Sequence, residues 1–166
     1  MHNLLATIPF VHIGALYQAI NASIPTKIIG VTGGILPTGA PQVWTDPNTP
    51  VTGIYLNMAD TAQPADDATA QNIATAHDPI YLTVDRTSIP ADNSTPATVT
   101  VRAPKSGAAA VTLSIASPGG QTVTQLVTMV AGVGTVAITS PISGAINVSV
   151  QNPSNRSTDT ITIQAV

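Results

Sequence analysis

Three histidines, one adjacent pair of carboxylates and one glycine-rich turn are the parts of this chain that could do chemistry. A hydrolase needs a nucleophile beside a base, or two carboxylates whose pKa values are held apart. The only imidazoles are His2, His12 and His77. His2 is close to the start, and His12 stands in an apolar stretch, where a hydrogen-bonded structural histidine is expected. His77-Asp78-Pro79 has the form of a cap or hinge before the next segment. No two of the three show the spacing that places paired zinc ligands on one helix face. Asp66-Asp67 is expected to be a solvated pair, because neighbouring side chains seldom point into one site, and no Asp-x-Asp-x-Asp-Gly calcium loop exists. Gly30-Val31-Thr32-Gly33-Gly34 follows a β-like run but lacks the Gly-Lys-Ser/Thr ending of a phosphate loop. The sequons at Asn21, Asn93, Asn147 and Asn155 are expected by chance in so Ser/Thr-rich a chain. The expectation is a protein without catalytic, cofactor-binding or metal-binding residues, and not an enzyme.

Composition points the same way. Of 166 residues only 8% are charged, 43% are apolar and there is no glutamate. An average soluble domain carries about 25% charged residues. Helix-surface residues are scarce and β-branched ones abundant, so a mainly β protein is expected. The composition argues against disorder, which needs low hydrophobicity with high net charge. A surface with so few charges is either a Thr/Ser/Asn surface or one covered by partners. Lys27, Arg86, Arg102, Lys105 and Arg156 are scattered, so no basic face for nucleic acid exists. Cysteine is absent, which excludes disulfides and thiolate sites. Residues 4–24 are fairly apolar, but Pro9, His12, Gln18, Asn21 and Ser23 interrupt them, so no membrane span is expected. No Lys or Arg precedes that stretch, unlike a standard signal peptide.

From residue 80 onward apolar and polar residues alternate with period two, the mark of half-buried strands. Ile80, Leu82 and Val84; Ala97, Val99 and Val101; Val111, Leu113 and Ile115; Val123, Leu126, Val127 and Met129; Val136 and Ile138; Ile146, Val148 and Val150; and Ile161 and Ile163 mark about seven strands. Turn signals at Ser88–Asn93, Pro104–Gly107, Ser117–Gly120, Gly132–Gly134, Ser140–Gly144 and Gln151–Thr158 separate them. Residues 80–166 are thus expected to form an antiparallel β-sandwich.

The residues 82–92 (LTVDRTSIPAD) with Ala97-Thr98-Val99-Thr100-Val101 resemble the opening of bacterial immunoglobulin-like domains of the intimin/invasin type. Gly132-Val133-Gly134-Thr135-Val136 and 157–163 (STDTITI) are similar to that family's later strands. The family often has Gly where Asn93 stands, and Asn tolerates the same turn. The resemblance covers about half the chain. It implies a rigid spacer or display module of cell surfaces and phage particles, with no active site.

Residues 1–79 form the other segment and read as loop-rich, with eight prolines among them. Short β-like runs occupy Lys27–Val31 and Gly53–Met58. Phe10–Ile20 has one apolar face suited to a helix, and Ala65–Ala76 is Ala-rich and reads as a helix or an ordered loop, with Asp66 and Asp67 placed to suit a helix N-terminus. No compact core of its own is expected here; the segment reads as an arm or clasp ordered by neighbouring subunits. It carries five aspartates against Lys27, whereas residues 80–166 carry one net positive charge. Phe10, Trp44 and Tyr55 are the interface candidates, since large aromatics dominate interface energies. With so few aromatics, anchors are expected rather than a carbohydrate platform.

Three function classes remain. The first is a virion structural protein, a bacteriophage capsid decoration (cement) protein that binds and stabilises the assembled head. The second is a phage tail or baseplate component, or a cell-surface adhesin module binding host glycan or receptor. The third is an enzyme or carbohydrate-binding module. The first is preferred, because a particle assembled in the reducing host cytoplasm suits a cysteine-free chain. Its expected partners are the major capsid protein or other virion subunits, and further copies of itself in a homo-oligomer, a trimer among the options. No cofactor, nucleic acid or membrane is expected to bind.

Overall fold

In a computed structural model that describes residues 1–8, 10–32, 53–151 and 156–166, eleven strands and two helices form a mainly β protein. The chain divides into two compact units, Met1–Pro79 with Ser154–Ser157, and Ile80–Pro153 with Thr158–Val166. No helix among the described residues is long and apolar enough to cross a membrane.

The first unit is a three-stranded antiparallel sheet, ordered β1-β3-β2, with two helices. Strands β1 (His2–Ala6), β2 (Ile28–Thr32) and β3 (Ile54–Met58) are short. Ile54, Leu56 and Met58 of the central strand point to one face with Leu4 and Ala6. A bulge between Ile28 and Gly30 lets both Ile28 and Val31 join that face, although their parity differs. The displaced Ile29 is left exposed.

Helix α1 (Ile13–Ser23) buries Ala15, Leu16 and Ile20. It starts later than Phe10 because His12 is its N-cap, the ring Nδ1 accepting from the Ala15 N–H. Pro25 limits its far end. Helix α2 (Pro64–Ala76) opens with Pro at its first position, and Asp66 Oδ2 accepts the Gln63 N–H at 2.9 Å. Its buried face is Ala70 and Ala74, one turn apart, small enough for close packing.

The expectation that residues 1–79 lack a core of their own is therefore corrected. Leu16, Ile20, Ile28, Ile54, Leu56 and Met58 are among the buried residues of one hydrophobic cluster that also holds Ala70 and Ala74. Each element contributes only one to three of them, so no single stretch shows a long apolar pattern.

The second unit holds β4 (Tyr81–Val84), β5 (Ser88–Ile89), β6 (Ala97–Arg102), β7 (Ala110–Ala116), β8 (Thr122–Thr128), β9 (Val133–Ile138), β10 (Gly144–Val150) and β11 (Thr160–Ala165). One sheet runs β5-β11-β10-β7-β8 and the other β4-β6-β9. Apart from the parallel pair β11–β5, all pairings are antiparallel. Inward residues of both sheets, with Val99, Val101, Leu113, Val148 and Ile163 at their centre, form one hydrophobic cluster.

Two details depart from the alternation. Ser88–Ile89, expected within a turn, is a short strand on β11, and Pro90 stops it after two residues. In β8 only Val127 is buried; Val123 and Leu126 are exposed. The β8–β9 connection is a two-residue turn in which Ala131 (φ 50°) and Gly132 (φ 77°) both adopt positive φ, the geometry that matches strand twist. Just beyond it, a Cβ on Gly134 would lie 2.7 Å from the Thr128 carbonyl oxygen, so only glycine fits.

Between β5 and β6 the chain is held by Asp92. Its carboxylate accepts the N–H groups of Ser94 and Thr95 and the Thr95 hydroxyl, each at 2.8 Å. Asn93 beside it adopts φ 54°, the left-handed conformation that Asn and Gly tolerate. The hydrogen bonds from Thr95, then Ser94, hold the Asp92 pKa far below its ordinary 3.8. A depressed carboxylate adds stability above its unfolded pKa and loses it as pH falls through the folded value. Thermal melts of the wild type and Asp92→Ala should therefore differ at neutral pH and converge progressively below pH 3.8. An equal gap at all pH values would assign the effect to something other than the charge.

Candidate functional site

Two places gather the polar and aromatic residues that the first unit does not spend on its core. The first lies where the helices meet. His12 caps α1, and its own backbone N–H donates to His77 Nε2 at 3.1 Å. His77 is buried and is the C-cap residue of α2. Because Nε2 accepts a hydrogen bond, the ring proton sits on Nδ1, and the imidazole lone pair is not offered to a substrate.

Asp78 follows, and Arg156 embraces it twice. Arg156 Nη2 lies 2.9 Å from Asp78 Oδ2, and Arg156 Nε donates to the Asp78 carbonyl oxygen at 3.0 Å. The other carboxylate oxygen, Oδ1, is buried without a hydrogen-bond partner among the described residues. These residues line an open cavity of about 420 Å³ together with Ala19, Ser23, Ile73 and Ala76. Ser23 Oγ donates to the Ala19 carbonyl oxygen, a helix back-bond that occupies its proton. The arrangement thus joins two helix ends to a distant loop and sets no nucleophile against a base.

The second place is the sheet's other face. Register places Leu5, Tyr55 and Thr32 in one row across β1, β3 and β2, and Asn3, Asn57 and Gly30 in the next. None of these six is charged. Leu5 is 48% exposed. Tyr55 and Asn57 are half-buried, and Tyr55 is not among the residues packed on the core cluster.

The residues singled out from sequence are dispersed over both places. Tyr55 stands on the outer sheet face. Phe10 precedes α1, half-buried. Trp44, Gly33 and Gly34 lie outside the described residues. Gly30 is in β2, where, among the described residues, an added Cβ would meet only the Asn57 amide at 3.7 Å, so it sits in a strand and not in a tight turn. Of the carboxylate pair, Asp66 caps α2 while Asp67 holds His2 Nε2 at 2.9 Å, tying β1 to the helix. Asp78 with Arg156 was missed, because partners so far apart in the chain leave no local signal.

No family model, no curated protein and no solved structure matches this chain.

Proposed function

We propose that this chain is a non-enzymatic virion structural protein, a bacteriophage head decoration protein that binds and stabilises the assembled capsid. The second unit would be a rigid immunoglobulin-like sandwich for display, and the first the clasp. The observation that carries this reading is the chargeless outer face of the β1-β3-β2 sheet, with exposed Leu5 beside Tyr55. Charge-depleted patches with an aromatic at their centre are what protein interfaces use. The immunoglobulin-like reading is supported by strand order. The short β5 runs parallel to β11, β10 and β7 follow in the same sheet, and β4-β6-β9 form the other.

Binding to heads tests the reading. Because β1 and α1 supply much of the first unit's core, deleting residues 1–25 would unfold the clasp rather than probe it. Surface changes are cleaner. Leu5→Asp with Tyr55→Ala should leave the fold intact and weaken head binding by roughly 30-fold or more, the loss of about 2 kcal/mol at an interface anchor. Heads lacking the protein should assemble but rupture at lower temperature, since a cement protein stabilises the state that it binds. Unchanged rupture temperature with and without saturating protein would sink the decoration role. If such particles instead failed to attach to cells, the tail or adhesin reading would replace it.

A further inference from the structure

Among the described residues, strand β8 ends the five-stranded sheet with no strand on its outer side, and it lacks the charge, proline and bulge that commonly guard such an edge. It has no charge, no proline and no bulge: Thr122 to Thr128 pair with Ala116 to Ala110 in unbroken register. From Ser106 to Asn155 the chain contains no charged residue or histidine. The sheet's opposite edge is guarded, because β5 has only two residues and lies between the Asp85–Arg86 ion pair and Pro90. The β9 edge of the other sheet is also uncharged, but it alternates buried and exposed residues regularly and leaves no large apolar side chain bare. On β8, Val123 is 50% and Leu126 66% exposed.

The order of residues in β8 says what covers it. Thr122-Val123-Thr124-Gln125-Leu126-Val127-Thr128 is nearly a palindrome about Gln125. We infer that β8 pairs antiparallel with β8 of a second copy, about a two-fold axis through the Gln125 pair. In that register Thr122 lies opposite Thr128 of the other copy, Val123 opposite Val127, Thr124 opposite Leu126, and Gln125 opposite itself. Thr–Thr and paired β-branched residues are favourable cross-strand neighbours, and an uncharged strand meets no like charge when it meets itself.

The backbone supports this register. Met129 N–H donates to the Ala109 carbonyl oxygen, and Ser117 N–H donates to the Gln121 carbonyl oxygen, both in line with the β7–β8 pairing. Odd-numbered residues of β8 therefore turn their backbone groups toward β7. By alternation, the N–H and C=O groups of Thr122, Thr124 and Leu126 point outward, whereas the Thr128 carbonyl oxygen lies against Gly134 of the same chain, so the two Thr124–Leu126 pairs beside the axis carry the backbone hydrogen bonds. There the proposed register joins outward residues only to outward residues, and it leaves the central Gln125 pair as a close, non-hydrogen-bonded one. Two-fold closure also uses up both edges, so the product is a dimer rather than a fibre. The pairing holds whether or not the virion reading does.

A chain without cysteine makes a clean test. Gln125→Cys introduces the only thiol, at a position where antiparallel geometry brings the two Cα atoms to about 4.5 Å, within disulfide reach. Mild oxidation of the full chain should yield one disulfide-linked dimer. Thr124→Cys, offset along the strand from its symmetry mate, should not cross-link. Thr124→Pro removes only an outward N–H, so it should keep the thermal transition while the sedimenting mass falls from twice the chain's 16.8 kDa to once. A wild type that sediments as a monomer, a dimer that survives in folded Thr124→Pro, or cross-linking at 124 in place of 125 would each overturn the proposal. Should Thr124→Pro fail to fold, the two cysteine variants decide alone.

Discussion

Leu113→Asp is expected to abolish the folded state of the second unit. Leu113 is fully buried in the middle of β7, opposite Val150 on one side and Gln125 on the other. Deleting a buried leucine costs about 2–5 kcal/mol, and an unpaired buried carboxylate adds several more. Domain stability is only about 0.05–0.15 kcal/mol per residue, so the sum is of the size of this unit's whole stability. The cooperative β transition should vanish from far-ultraviolet circular dichroism. Ala137→Asp is the control. Ala137 also lies in a strand of period-two character, but it is exposed on β9, away from the proposed β8 seam, and a surface change of this kind is worth about 0.5 kcal/mol or less. A folded Leu113→Asp protein would mean that the two sheets do not share the core assigned to them.

Leu56→Asp is expected to do the same to the first unit. Leu56 is fully buried in the central strand β3, paired with Leu4 and Val31. Leu16 and Ile20 of α1 and Ala70 and Ala74 of α2 belong to the same buried cluster as Leu56. The signature is therefore different. The helical dichroism should be lost while β signal from the second unit remains, and in Leu113→Asp the helical signal should remain while the β transition goes. If Leu56→Asp retained its helical signal, α1 and α2 would owe their order to something other than this core.

These two substitutions mark the line between what the sequence determined and what tertiary structure decided. The alternation of Val99, Val101, Leu113, Val148 and Ile163 was legible because strand side chains point to opposite faces in turn. One buried face then leaves a local trace in every strand. Helix α1 was legible for the same kind of reason, a local apolar face, whereas the Ala-rich run with Asp66 and Asp67 suited a helix or an ordered loop and the structure makes it α2. The scarcity of charge and the absence of cysteine were legible outright.

What was not legible depended on neighbours distant in the chain. The first unit's core is assembled from a few residues in each of five elements, and the bulge at Ile28–Gly30 changes the parity on which a periodic reading relies. Asp78 meets Arg156 only after the chain has run through β4 to β10. Val123 and Leu126 are apolar in an alternating strand, yet exposed, because β8 ends its sheet. Local sequence sets which faces a strand has. Only the packing of other elements decides which of those faces is covered, since burial is a property of the surroundings and not of the residue.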